Sequence, residues 1–405
     1  MSTANSIAPR QSVWQFILSE LKPKGPIFTP FNIISVPTIL AGLAIVVWRF
    51  AFGLGSVTNL TQDYPWGIWI GFDVMTGVAF AGGAYVITFT VYVMRTGKYQ
   101  PLVRATVLNG FLSYLFYAGA LFLDLGRPWH IINPIIGNSF GYNSILFLVS
   151  WHFMLYMMAE ALEFSPVVAE WLGLERAKKI LHKLTLGTVI FGVVLSTLHQ
   201  SGLGALYLFC KPKLHPLWYT EFLPVLFLVS SVFAGLSMII FEGTISHRVF
   251  KTQIDPKKHA SFDDIVFGLS KGAAVAMYVY LFVKFVIFVH GQHWHFIMTG
   301  WGWLYILEVG GLVLVPCALF THGYRQRRIG LVRLAAILTL LGIMFNRLNI
   351  SVIAFNWQLP TRYYPSIGEI VVTLMVIFTE IWVFRWVVYR MPVLRETTES
   401  CRNPK

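Results

Sequence analysis

The sequence predicts an all-α integral membrane protein of about ten transmembrane helices. Of its 405 residues, 56% are hydrophobic and only 12% are charged, about half the charged share of a soluble domain. The apolar residues collect in runs near the ~20 residues that cross ~30 Å of hydrocarbon. Aromatic residues make up 16%, with 14 Trp and 33 Phe, which fits a lipid-exposed surface with interfacial belts.

The runs are expected at about 33–54, 67–94, 103–125, 143–163, 184–209, 221–243, 266–290, 301–321, 330–350 and 367–389. Residues 1–32 are polar and proline-containing, so they read as a tail without a cleavable signal peptide, and the first run drives insertion. Residues 33–390 read as the transmembrane domain and 391–405 as a second tail. Asn346, Arg347 and Asn349 interrupt the outer end of the ninth run.

Charge orients the chain. The two tails and alternate loops hold 23 of the 31 Lys and Arg, the opposite loops six, and Lys271 and Lys284 lie within runs. The positive-inside rule then makes both termini cytoplasmic, as an even number of spans requires, in a bacterial inner membrane. The net charge of +13 is no nucleic-acid signature, because the excess sits in short loops on one face. Cys210, Cys317 and Cys401 form no CxxC pair, so neither an iron–sulfur cluster nor a zinc finger is expected.

The outer loops are rich in Trp, Tyr, Pro and Gly, as in "DYPWGIW", "GRPWHIINPIIGNSFGYN" and "KPKLHPLWYTE". They suggest a docking surface or a pocket mouth. "VAFAGG" (Val78–Gly83) in the second run is echoed by "SVFAGL" (Ser231–Leu236) in the sixth. Each is followed, in the third run after it, by a polar pair: His199–Gln200 and Asn346–Arg347. Two related four-helix bundles are therefore expected, about 67–209 and 221–350, with the first and last helices flanking them.

An ionisable residue inside a span costs a few kcal/mol and is a functional hypothesis by default. At ~1.5 Å per residue, Asp73, Tyr114, Tyr117, His199, Gln200, Lys284, Glu308 and Arg347 cluster toward the outer half. Fewer occupy the inner half: His152, Glu160, Glu242, Lys271 and Glu380. Structural roles are expected for several. Lys284 with Glu308 reads as an ion pair across a hairpin, and Asp124 with Arg127 as a rim salt bridge. Glu160, Glu242 and Lys271 are close enough to the inner boundary to snorkel. Asp73 and His199 stand on glycine-rich faces that permit close helix approach, and they are expected to face each other across a slot. Reducing a lipid-soluble quinone adds two electrons and two protons at two carbonyl oxygens. Each oxygen needs a donor and a titratable relay, and histidine is tunable near neutral pH. Two other readings stay open on these residues: a b-type haem held by His152 and His199, and a secondary transporter, which would show inverted repeats and broken helices.

The stretches "GLGSVTNLTQDYPWGIWIGFDVMTGVAFAGGAY", "YQPLVRATVLNG", "LHQSGLGALY" and "HPLWYTEFLPVLFLVSSVFAGLSMIIFEG" resemble the polysulfide-reductase/NrfD family of membrane subunits. The likeness is to its ten-span branch of HybB-like hydrogenase subunits and Hmc- or Qrc-type complex subunits. The resemblance implies a chain without haem or cluster that binds menaquinone or ubiquinone near the outer face. It implies electron exchange with an extracytoplasmic, ferredoxin-like iron–sulfur subunit, with a catalytic subunit or multihaem cytochrome beyond it. In some members proton translocation is coupled to this exchange. Carried over, Asp73 and His199 are the catalytic candidates. Asp73, Tyr114, Tyr117, Arg127, His199 and Gln200 are the quinone-binding candidates, and no metal ligand is implied. In one departure from the hydrogenase-type pattern, Leu148 stands where a carboxylate follows "NSxLF", and His152, one turn on, is the expected substitute.

Overall fold

The computed structural model describes residues 18–137, 141–254 and 256–394; Cys401 and most of both tails lie outside them. Ten apolar helices are long enough to cross a membrane: Pro30–Phe52, Trp69–Val93, Gly97–Asp124, Ile145–Trp171, Glu175–Cys210, Leu223–Val249, Ser261–His290, Gly300–Arg325, Ile329–Ile353 and Ile367–Arg390. They are called spans one to ten, and each coincides with an expected run. An even number leaves both described ends on one side, here the near side, opposite the far side. Among the described residues the only extended pairing is an isolated bridge between Leu214 and Phe355.

Local chemistry sets the helix starts. Thr29 caps span one, with Pro30 at the first helical position, where its missing N–H costs nothing. Thr299 caps span eight. Ser366 and Glu369 form a reciprocal capping box on span ten. Span nine does not stop at its polar cluster. It continues as a π turn over Asn349–Ile353, because Asn346, Arg347 and Asn349 turn inward to partners.

The packing gives two four-helix units and a flanking pair. Spans two to five contact one another in sequence, spans six to nine do the same, and span ten lies on span one and against span three. The units meet where span six packs against spans two and five. Between spans two and six the two echoed motifs are the seam: a Cβ on Gly235 would lie 2.0 Å from the Gly83 nitrogen, and one on Gly82 would lie 2.6 Å from the Ser231 oxygen. Backbone contact this close is the small-residue packing by which apolar helices associate without a hydrophobic drive. The Tyr85 hydroxyl bonds Ser231 Oγ at 3.0 Å across the same seam.

Candidate functional site

Span two carries the first side chain of the site. Its far end is a π turn, Trp69–Val74, a distortion that often marks functional sites in helices. That turn presents Asp73, which is fully buried. Thr373 of span ten donates to Asp73 Oδ2 at 2.9 Å. Glu380, also on span ten, lies within electrostatic reach. Tyr117 of span three packs its ring over Gly77, where a Cβ would stand 2.1 Å from it, and its hydroxyl lies beside Glu380 and Ser113. Ser113 donates to Glu380 Oε1 at 2.8 Å.

The second group faces into the bundle. His199 Nδ1 donates to the Val149 carbonyl of span four at 3.2 Å. A carbonyl can only accept, so this bond fixes the tautomer and leaves Nε2 as the free ring nitrogen of the neutral imidazole. The ring lies 5.7 Å from Tyr114 and 5.3 Å from Phe153. Gln200 donates to the Val78 carbonyl of span two at 2.9 Å. The Tyr114 hydroxyl sits beside Ser196 and Gln200, and its ring meets Tyr156 edge-on at 4.6 Å. Glu160 continues the row toward the near side. Its carboxylate fills the space that a Cβ on Gly110 would take, 2.8 Å away, and Glu163 follows it.

Much of this row lacks a hydrogen bond of good geometry, although the Tyr114 hydroxyl lies near Ser196 and Gln200 and that of Tyr156 near Glu160. Among the described residues, Asp73 Oδ1, Tyr114 OH, Tyr156 OH, Glu160 Oε2, Ser196 Oγ, His199 Nε2 and Gln200 Oε1 are buried without a hydrogen bond. Buried polar atoms are normally satisfied, and each exception calls for a bound molecule, water or function. The second bundle offers the contrast at a similar depth. There Glu308 accepts from Trp218 at 2.7 Å, Asn346 at 2.7 Å and Asn349 at 2.5 Å. Arg347 donates to Asn346 and to Ser230 and lies 3.7 Å over the Phe227 ring. The second bundle closes most of these groups on each other, with Ser237 Oγ, Arg347 Nε and Asn349 Oδ1 left over, whereas the first leaves more of its donors and acceptors unspent.

Several expectations are corrected. Asp73 and His199 do not meet across one slot. Asp73 turns to span ten, whereas His199 and Gln200 bond backbone carbonyls of spans four and two. Arg127 is exposed on the far side and makes no side-chain bond or ion pair among the described residues, so it does not join the row. Asp124 pairs in field with Arg49 instead. The buried Arg49 guanidinium donates to the Leu123 carbonyl at 2.9 Å, and also to that of Leu125, tying span one to the end of span three. Lys284 and Glu308 are not in ion-pair contact, because three neutral donors occupy the carboxylate. Glu160 does not snorkel but is 1% exposed; Lys271 is exposed. Leu148 is 37% exposed on the outer surface of span four, so the inward-facing carboxylate of this helix is Glu160. His152 lies beside His199.

Thr373, Ser113, Ser196 and Tyr156 were missed. A lone hydroxyl in an apolar run carries no sequence signal, and nothing in the sequence shows that span ten packs on span two. Glu380 did show, as a single acid in an apolar run.

The far-side loops close over the helix ends. His215 is fully buried in a box of Phe296, Trp301, Trp357 and Trp218, with ring centres 4.6–5.6 Å away. Its Nδ1 accepts from the Leu217 N–H, which requires a nitrogen free of a proton. Burial, and then the nearby His293, push its pKa down to about 4. A histidine depressed in the fold contributes stability above its ordinary pKa of about 6.5, and that stability is lost as pH falls toward 4. Melting temperature should therefore drop over this window. In His215→Gln the drop should be smaller, and an identical pH profile for the two proteins would remove His215 as the sensor.

The comparisons with known proteins agree with this architecture. The profile described as "Polysulphide reductase, NrfD" matches residues 56–356. A protein of Nitratidesulfovibrio vulgaris (strain Hildenborough) is 43% identical over 91% of this chain and 96% of its own. A probable Ni/Fe-hydrogenase 2 b-type cytochrome subunit of Escherichia coli (strain K12) is 29% identical over 91% and 93%. A menaquinone reductase integral membrane subunit of N. vulgaris is 26% identical over 83% and 84%. The matched profile spans both bundles, and the chain belongs to the polysulphide reductase NrfD family of membrane proteins.

Proposed function

We propose that this chain is the quinone-exchanging membrane subunit of a respiratory oxidoreductase complex in a bacterial inner membrane. The observation that carries the reading is the set of unspent polar atoms in the first bundle, on Asp73 beside span ten and on Tyr114, His199, Gln200 and Glu160 among spans three to five. A quinone head offers two acceptor oxygens and needs two protons. The Tyr114 hydroxyl is a donor for one oxygen, and the Asp73 carboxyl and His199 imidazole are groups that can pass a proton on. Phe153, Tyr117 and Tyr156 supply apolar walls. The far side is the outer side in this reading, by the distribution of Lys and Arg. Electrons arrive there from an iron–sulfur partner docked on loops whose Trp129, Tyr142 and Tyr364 are exposed, and a catalytic subunit or multihaem cytochrome lies beyond it. Menaquinone is named in one relative and is the first quinone to try, with ubiquinone second. A proton drawn from the near side through Glu163, Glu160 and Tyr156 would make the exchange electrogenic.

The name of one relative includes a b-type cytochrome. The Nδ1–Val149 bond leaves Nε2 of His199 free, the arrangement an iron-ligating histidine also uses, so an absorption spectrum is what separates that reading from this one. The transporter reading calls for inverted repeats, whereas spans two and six, four apart in an alternating chain, run in the same direction.

His199→Ala tests the proposal in the assembled complex. Loss of a positioned proton-transfer group should lower quinone turnover by ~100-fold or more, with assembly unchanged. Wild-type turnover in this variant would sink the role of His199. An absorption spectrum of the purified chain with haem bands would favour the cytochrome reading instead.

A further inference from the structure

A cleft outside the row opens on the surface of the second bundle. Its volume is about 360 Å³, and Phe285, Phe288, Tyr305 and Ile306 line it, with Lys284 at its floor. Ligand clefts begin at ~300 Å³ and are mostly apolar with a few placed polar groups. Phe285 and Ile306 are 64% and 39% exposed, so the mouth faces lipid. Phe288 and Tyr305 stack at 6.2 Å and 22°, presenting flat apolar walls. One wall is the π segment Ile306–Leu314 of span eight.

Lys284 is the anomaly. It is only 3% exposed, and among the described residues no acceptor atom or carboxylate lies within bonding distance of it. Its ammonium lies over the rings of Tyr280 at 5.8 Å and Tyr305 at 5.5 Å. Glu308 lies within electrostatic reach, but its oxygens bond Trp218, Asn346 and Asn349 and none of them reaches Lys284. An ammonium with three donors to place, at the floor of an apolar cleft, calls for an acceptor brought in by a ligand. Depth narrows the choice. Lys284 stands six residues from the far end of span seven, ~9 Å at the helical rise. That is below the level of lipid phosphates and within reach of a head group that partitions into hydrocarbon.

We propose that this cleft is a second quinone-binding site, in which Lys284 donates to one carbonyl oxygen and the isoprenoid tail leaves toward the lipid. It rests on the quinone reading only for the occupant; none of its residues belongs to the first-bundle row.

The test is photolabelling of the purified chain in nanodiscs of phosphatidylethanolamine and phosphatidylglycerol, with a prenylated azidoquinone as probe. Label is expected on peptides of spans seven and eight as well as on those of the first bundle. Lys284→Met should lower the second-bundle label at least tenfold and leave the first-bundle label in place. Val309→Trp, which fills the cleft without touching the charge, should do the same, and it answers the case in which the methionine variant does not fold. Asp73→Asn should leave the second-bundle label unchanged. First-bundle label alone in the wild type, or second-bundle label that both variants retain, overturns the second site while the main reading stands. Phosphatidylglycerol retained by wild type and lost in Lys284→Met, with no quinone label there, identifies a lipid site and overturns it too. No label on either bundle overturns both.

Discussion

Asp73→Asn should leave a folded, assembled protein whose quinone turnover is reduced by ~100-fold or more, the usual contribution of a positioned proton-transfer group. The substitution is nearly isosteric. The oxygen that accepts from Thr373 at 2.9 Å has an amide oxygen to replace it, and the π turn Trp69–Val74 keeps the same residue volume. What is lost is the ability of the free Oδ1 to gain and release a proton. Melting temperature should therefore stay near wild type while turnover falls. Quinone binding should change less than turnover, because the amide can still donate. Thr373→Val is the paired experiment: it removes the donor that orients the carboxyl, and it should give a smaller loss that Thr373→Ser restores. If Asp73→Asn instead turns over quinone at the wild-type rate, the proton passes through another group, and Glu380 beside Tyr117 becomes the first to substitute.

How much of this was legible in the sequence depends on the kind of signal. Ten spans follow from apolar run length, a constraint the bilayer imposes on each helix alone, so they were readable one by one. The echo of "VAFAGG" and "SVFAGL" was readable as a repeat, but not as the contact between the repeats, because packing partners are a property of pairs. The same limit explains Asp73. Depth along its helix was readable, but azimuth was not, and the π turn alters azimuth by adding a residue within one turn. Hence Asp73 faces span ten, which no periodicity placed beside it. Charges in apolar runs were visible as costly, yet whether a neighbour satisfies them was not. Glu308, with three donors, and Glu160, with an oxygen unbonded, look alike in the sequence. Arg127 looked like the salt-bridge partner of Asp124 from their spacing, but the charge that lies near Asp124 is that of Arg49, 75 residues earlier in the chain.

Gly235→Val should be the most damaging single change outside the polar row, because it strikes the seam between the bundles. The first added carbon would already lie 2.0 Å from the Gly83 nitrogen, 2.4 Å from the Gly82 carbonyl carbon and 2.6 Å from the Gly83 Cα. All three are backbone atoms of a packed helix, so no rotamer change relieves the overlap and spans two and six must part. Overpacking a close-packed interior costs typically 1–3 kcal/mol and occasionally more; with two backbones in contact, a loss of about 3 kcal/mol or more is expected. Parting the seam also removes the Tyr85–Ser231 bond and shifts span two, which carries both Asp73 and the Val78 carbonyl that holds Gln200. Structure and activity should thus fail together, seen as a large drop in melting temperature and in recoverable folded protein. Gly119→Ala, where the added carbon meets nothing within 4 Å, controls for the generic effect of filling a helical glycine and should melt near wild type or slightly above it. If Gly235→Ala melts with Gly119→Ala, the bundles are not held by backbone contact at this crossing, and the coupling of seam to site fails with it.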